Sequence, residues 1–408
     1  MVVTAGTARL TKADIERFVE TGKSEDVTID FKQEPYKRSD DDKREFLKDA
    51  VAFGNTLGGH IVIGMAEDDG NAASIHPITE TDFDKEIQWL ENLCKDCIEP
   101  NMTGVDPYTV EVEGGHLLVI KIPKSWSGPH RANSGKYKRF FQRHSRTVSE
   151  MDVSQLKQAF LGSSTVFQRA AKISSSWAYQ AEAQALESAQ IRHDKEQGQI
   201  VEGLSSFDAD LPNEKDGIFV LHIIPIGNLA DRTTLPFESL EALGAHFRPF
   251  ISMGYNSRIN LEGVRFYNSG IDEETYTQVH RNGSLELVAE GLVWQVDGGR
   301  ELLGKRIVEG LTDCLDRLFR GLRMLECSPP LYIQLRILRV KNTTLDTGVP
   351  SAYWSHGEPV FSRNEIVLPE IILTEYPDGL AREDLVRQLT DPLWNAYGRG
   401  SCPLVPKN

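Results

Sequence analysis

Apolar positions along the first 160 residues switch between helical and strand periods several times. Residues 11–22 (TKADIERFVETG) open on a capping-type Thr11 and close on Gly22, which predicts a short helix. Val27, Ile29 and Phe31 alternate with Thr28, Asp30 and Lys32, the period of a half-buried strand. In DDDKREFLKDAVAFGNTLGG, acids crowd the first turn and Phe46, Leu47, Ala50, Val51 and Phe53 share a face. That predicts a helix stopped by Gly58 and Gly59. HIVIGM (60–65) is nearly all apolar and reads as a central strand. FDKEIQWLENLCKDCIEP follows as a second amphipathic helix ended by Pro100, then strands at 108–112 and 116–123.

Residues 163–198 lack proline and are rich in Ala, Gln and Glu, which predicts a connecting helix. The acidic loop SFDADLPNEKDG opens a second unit. Strands are expected there at 217–225, 257–267, 275–281, 285–296, 331–345 and 364–376, and helices near 301–323 and 382–397. The reading is α+β throughout: a first domain at 1–162, a helical connector at 163–200, and a second α+β domain at 201–408 of unstated role.

Length agrees, since 408 residues suit two or three domains. No run of 18 apolar residues occurs, so no membrane span or membrane partner is expected. The start carries no apolar stretch behind basic residues, and the five cysteines are scattered; a cytoplasmic protein with reduced thiols is expected. The 60 Asp and Glu outweigh 45 Lys and Arg, for a net charge of −15, which on its own argues against a polyanionic partner. The charge is uneven, however. KIPKSWSGPHRANSGKYKRFFQRHSR (121–146) holds eight Lys and Arg and no acid, with Trp126, Tyr137, Phe140 and Phe141 interleaved. Cations neutralise phosphates and aromatic faces stack on bases, the needs of single-stranded nucleic acid. A hairpin that pairs with the chain's own acids fits the same composition.

Two motifs fail on chemistry. GGRELLGK (298–305) has P-loop spacing through Gly299, Gly304 and Lys305, but Arg306 stands where a Ser or Thr must hold Mg²⁺. Leu302, Leu303, Ile307, Val308 and Leu311 also continue as a helical stripe, so no ATP site is expected. Cys94 and Cys97 form one CxxC inside a helix with no second pair nearby. Only a spatial approach of His130 would give zinc a third ligand, and zinc is not expected. The surviving signal is acidic. Glu25 precedes the first strand, Asp30 and Lys32 lie on its polar face, and Glu67 and Asp68 follow the central strand. If the two strands are neighbours, carboxylates from 25, 30 and 67 or 68 converge at one sheet edge. Such oxygen ligands suit Mg²⁺ or Mn²⁺, with Lys32 as a fixed charge. The plainer alternative is a solvated turn.

Together, Glu25-xxxx-Asp30-Phe31-Lys32, AVAFGNTLGGHIVIGMAEDDG and SGPHR…FFQRHSR resemble the Schlafen AlbA-type domain of bacterial proteins with an uncharacterised C-terminal region. That family runs from an acid, over four residues, to an acid followed by Phe-Lys. A helix ending Asn-Thr-x-Gly-Gly and a strand ending Ile-Gly-Val with acids just after complete it. Here Asn55–Gly59 and Ile63-Gly64-Met65 take those places. The resemblance covers about residues 10–160 and implies a mixed sheet with helices. It also implies a metal-dependent endoribonuclease acting on tRNA or similarly folded RNA, with Glu25, Asp30 and Glu67 holding Mg²⁺ or Mn²⁺. Two lengths differ from the family: Asp30 is one methylene shorter than the usual Glu, and Glu67 one longer than a frequent Asp. On this reading Lys32 steadies the scissile phosphate, and Arg131, Lys136, Lys138, Arg139 and Arg143 grip the backbone. Other members, treated as DNA-binding regulators, imply the alternative of a non-catalytic DNA or RNA binder. Vertebrate members join two such lobes around RNA, so a one-lobe chain is expected to act as a homodimer, and a role in anti-phage defence is in keeping with the family.

Overall fold

A computed structural model describes residues 9–79, 81–202, 217–268, 275–296, 299–348 and 359–405, with only the backbone described over 188–202. The chain divides into two compact units, Met1–Val166 and Phe167–Asn408. The acidic loop expected at 206–217 lies, except for Gly217, outside the described residues.

The first unit contains α1 (Lys12–Thr21), β1 (Ile29–Lys32), α2 (Asp40–Gly54), β2 (Gly58–Ile63), β3 (Met65–Asp68) and β4 (Asn71–Ile75). Then come α3 (Phe83–Cys97), β5 (Ile98–Glu99), β6 (Asp106–Val112), β7 (Gly115–Pro123), β8 (Arg131–Ser134), β9 (Tyr137–His144), β10 (Thr147–Glu150) and the start of α4 (Val153–Glu202). Thr11 and Asp14 exchange bonds in a capping box at α1, and left-handed Gly22 ends that helix. Ser39 caps α2, whose first turn holds Asp40, Asp41 and Asp42, where the helix dipole favours negative charge.

A four-stranded sheet in the order β1-β2-β7-β6 forms the middle of this unit. β1 and β2 run parallel with Asp30 opposite Ile61, so the expected strand neighbours are neighbours. Ile15, Ile29, Phe31 and Val62 fill one side of the sheet; Phe46, Leu47, Phe53, Ile61 and Ile63 fill the other. A second sheet, β10-β9-β8-β5, packs its Ala132 and Phe141 into the latter core.

Three expectations need correction. α2 ends at Gly54, short of Gly58-Gly59, because those glycines begin β2. A Cβ on Gly59 would stand 2.2 Å from the Thr28 carbonyl oxygen, so glycine is needed there for strand approach. The strand expected over 60–65 ends at Ile63, since Gly64 takes φ +97° and Met65 starts the next hairpin. And β1 is buried on both faces: α2 covers its polar side, leaving Asp30 6% exposed.

In the second unit α4 continues, followed by β11 (Ile218–Pro225), α5 (Ile226–Asp231), α6 (Phe237–Glu241), β12 (Asn256–Ile259), β13 (Gly263–Tyr267), β14 (Thr275–His280) and β15 (Leu285–Ala289). β16 (Val293–Val296), β17 (Gly299–Leu302), α7 (Gly304–Met324), β18 (Leu331–Leu338), β19 (Thr343–Leu345), β20 (Glu365–Val367), β21 (Ile371–Leu373) and α8 (Leu380–Ala396) complete it. An eight-stranded sheet runs β12-β13-β14-β15-β11-β18-β20, with β21 also on β18. Ile307, Leu311, Leu315, Leu318 and Leu322 of α7 and Leu385, Leu389 and Leu393 of α8 pack on one face with Phe219, Leu221 and Ile223. Ala178, Ala181 and Ala185 of α4 meet Ile218, Val220 and Val288 on the other. The P-loop look-alike is a strand over Gly299–Leu302 and a helix from Gly304, so only its last two residues are helical as expected. Lys305 pairs with Glu309 at 3.9 Å.

α4 is also held by polar groups. Ser174 Oγ lies 2.8 Å from His222 Nδ1, His222 Nε2 lies 3.0 Å from Glu286, and Tyr276 donates to Glu286 at 2.9 Å. The order Ser–His–Glu is that of a nucleophile triad, but Ser174 and His222 are fully buried, so no substrate reaches the hydroxyl. Trp177 stacks on His280 at 4.0 Å. Burial lowers the His280 pKa to about 4, with Glu286 opposing.

Replacing His222 with Ala strands Ser174 and Glu286 in a dry place and is expected to cost about 3–5 kcal/mol, read as a lower urea midpoint. His280, neutral in the folded chain, contributes its full stability above the unfolded value near 6.5. That contribution, about 3 kcal/mol, is lost as pH falls from 6.5 through 4. His280→Gln should flatten the pH–stability curve over that window.

Candidate functional site

Two acids and two cations meet where β1, α2 and β9 come together. Asp30 and Lys32 project from the same side of β1, with Lys32 Nζ 2.7 Å from Asp30 Oδ2. From α2, Asp49 stands 3.7 Å from Lys32 Nζ and accepts from the Tyr36 hydroxyl at 3.1 Å. From β9, Arg143 donates to Asp30 Oδ1 at 3.1 Å, its guanidinium lying 4.3 Å over the Phe53 ring. The Arg143 side chain is 0% exposed and that of Asp49 is 4% exposed, so each charge depends on its partners rather than on water. Burial pushes Asp49 up to about 6 against the pull of Lys32. Burial works against the Lys32 charge, yet Asp49 and Asp30 raise its pKa above the ordinary lysine value.

Glu25 enters from the segment ahead of β1. Its backbone N–H donates to the Gly70 carbonyl at 2.8 Å and Ser24 bridges to Asn71, which ties this segment to the β3–β4 hairpin carrying Glu67. The Glu25 carboxylate accepts from Phe31 N–H at 2.7 Å. Burial raises it to about 7, with Asp30 and Glu67 adding to the rise while the Phe31 N–H and Lys32 oppose it. Asp30 and Glu67 thus both act on Glu25 electrostatically, with Glu67 exposed at the rim.

The donor set is oxygen only, which suits a hard divalent ion. Asp30 Oδ2 is a buried oxygen whose partner is the Lys32 ammonium, 2.7 Å away. Among the described residues, however, no three His, Cys, Asp or Glu side chains stand in a finished metal cage. The residues fit such an ion by chemistry, with ligand atoms that must close in around it.

The expected backbone grip is divided. Lys136 and Lys138 are exposed at the β8–β9 hairpin. Arg131 pairs with Glu99 at 2.7 Å and Arg139 pairs with Glu150. Arg143 lies inside the fold, so its position suits holding Asp30 rather than touching a phosphate. Tyr137 stacks on Phe141, which is buried. Cys94 is buried in the core, and burial pushes its thiol up to about 12. His130 does not approach the cysteines as a ligand: Nδ1 meets the Pro100 carbonyl and Nε2 meets Ser125, each at 2.6 Å.

Sequence reasoning missed Asp49 and Asn55. Asp49 has a signal, an acid between Leu47 and Ala50 on the apolar stripe of α2. Asn55 donates to the carbonyls of His130 at 2.8 Å and Phe141 at 2.9 Å and accepts from His130 N–H at 2.7 Å. Thr56 accepts from Arg143 N–H at 3.0 Å. The Asn-Thr pair therefore joins the end of α2 to the basic hairpin, satisfying backbone groups that α2 and the hairpin would otherwise bury unpaired.

Residues 25–152 match the model of the family described as Schlafen, AlbA_2. No curated protein matches the chain. Among solved structures, the DIP2311 protein of Corynebacterium diphtheriae is similar at 19% identity and a TM-score of 0.26, over 36% of this chain and 27% of that one. The N-terminal domain of a RecG-related protein from Nitrosomonas europaea is similar at 19% identity and a TM-score of 0.25, over 35% of this chain and 96% of that domain. The chain thus spans about a quarter of DIP2311 and nearly all of the second domain.

Arg143→Ala leaves Asp30 with one counter-charge and is expected to cost about 3–5 kcal/mol of stability. Lys136→Ala and Lys138→Ala, at exposed positions, should stay within about 0.5 kcal/mol of the parent. Denaturant midpoints of the three variants check the contrast.

Proposed function

We propose that the Schlafen AlbA_2 domain at residues 25–152 binds RNA and cleaves it as a divalent-metal-dependent endonuclease, with tRNA or similarly folded RNA as substrate. The observation that carries this reading is the placing of Glu25, tied to β1 through the Phe31 N–H and to the hairpin of Glu67 through the Gly70 carbonyl, where Asp30 and Glu67 both act on its charge, with a lysine on the same strand that burial does not discharge. Mg²⁺ or Mn²⁺ held by these three carboxylates would supply an activated water and offset charge developing on a phosphate. Lys32, fixed between Asp30 and Asp49, presents a positive charge whose position is set before substrate arrives. Lys136 and Lys138 attract the backbone from an exposed hairpin. One lobe per chain favours a homodimer; light scattering that returns the mass of a single chain at all micromolar concentrations would exclude it.

A second reading, a non-catalytic nucleic-acid binder, is favoured by one observation. Arg143 and Lys32 already neutralise Asp30, as in a purely structural ion cluster.

Incubation of the protein with total tRNA and Mn²⁺, beside Glu25→Gln/Asp30→Asn, separates the two. Cleavage by the parent and its loss in the variant, with RNA binding retained, supports the nuclease. Equal binding and no cleavage by either protein supports the binder. In both readings Lys136→Gln/Lys138→Gln should weaken binding and lower the salt slope of log K by about 1–2.

A further inference from the structure

The second unit holds an open cavity of about 360 Å³, lined by none of the residues used so far for chemistry. Three guanidinium groups line it: Arg169 of α4, Arg232 at the end of α5 and Arg281 in the β14–β15 turn. One carboxylate, Glu262, shares the lining. Arg169 and Arg232 are exposed and form no ion pair among the described residues. Arg281 is held in place, 4.7 Å over the Phe237 ring with Nε bonded to the Leu235 carbonyl at 3.4 Å. His280 forms part of the wall, 7% exposed and stacked on Trp177. Its Nδ1 faces Glu262 at 4.0 Å, and its Nε2 is buried with no hydrogen-bond partner.

The Arg169 and Arg232 guanidinium groups and the His280 Nε2 leave recognition groups unused. Guanidinium forks match phosphate oxygens two at a time, which a point charge does not. A buried ring nitrogen without a partner is uncommon in a folded chain and marks a place where a ligand atom or water completes the bonding. The net positive lining stands in a chain of net charge −15, so it does not follow from general basicity. The volume lies at the lower end of small-molecule pockets, whereas a nucleic-acid strand is gripped along a groove.

We propose that this cavity of the second unit binds a small phosphate-bearing ligand through Arg169, Arg232 and Arg281, with His280 as a further polar contact. The site is independent of the carboxylates at Glu25, Asp30 and Glu67 and stands whether or not the first unit cleaves RNA.

Calorimetric titration of the full chain with pyrophosphate, and separately with ATP, tests it. Saturable pyrophosphate binding with a Kd below ~1 mM is expected. Arg169→Gln/Arg232→Gln, which alters two exposed side chains, should weaken it about 10–100-fold. Lys136→Gln/Lys138→Gln should leave it unchanged, and His280→Gln should weaken it without abolishing it. No pyrophosphate or ATP binding by the parent, or parent-like binding by the double arginine variant, overturns the proposal. So does a short oligonucleotide that displaces pyrophosphate and binds more tightly.

Discussion

The contact between Asp30 and Arg143 is the constraint on which the first unit depends. Four charges from three elements lie together, with Asp30, Asp49 and Arg143 buried and Lys32 partly so, and removing any one leaves another with fewer counter-charges. The cluster is expensive as a source of stability, because an apolar core of the same volume holds at least as well. Its value is positional. It fixes an edge strand only four residues long against α2 and β9, and it orients Lys32 between two carboxylates. The Asn55 and Thr56 bonds repeat the same joint with backbone partners, so α2 is fastened to the basic hairpin by both charge and hydrogen bonding.

In the second unit the same logic is used for a helix and a sheet. Ser174, His222, Glu286 and Tyr276 form a closed chain of bonds among buried groups, and alanines beside it let α4 approach the strands closely. A chain of donors and acceptors of this kind is selective about register: a shift of α4 that put Ile173 or Trp177 in the place of Ser174 would leave His222 Nδ1 without its hydroxyl partner.

Most of the architecture was legible in the sequence because it follows from periodicity. Strong stripes such as Ile307–Leu311–Leu315–Leu318–Leu322 and all-apolar runs such as Ile61–Ile63 define elements whatever they pack against. Breaks were less legible. Gly58 and Gly59 serve strand approach rather than helix termination, a distinction that lies in the Thr28 carbonyl and not in the glycines. The candidate site was legible in part. Spacing indicated Glu25, Asp30, Lys32 and one of Glu67 and Asp68, because strand neighbours bring strand ends together. The burial of Arg143 was harder, since a basic run looks solvated. Its hint is alternation, for Phe141 and Arg143 share a face of β9 and the first of them is core. Asp49 was overlooked because an acid in a helix is ordinarily assigned to the wet side.

Asp30 and Arg143 are 113 positions apart in the chain, and Asn55 and Phe141 are 86 apart. A polypeptide emerging from the ribosome therefore carries its acidic strand long before the hairpin that completes it has been made. Until Arg143 is released from the exit tunnel, Asp30 has only Lys32 beside it and α2 has no hairpin to grip. The charged centre is thus completed only late in synthesis, and a chain truncated ahead of β9 lacks the guanidinium that closes it.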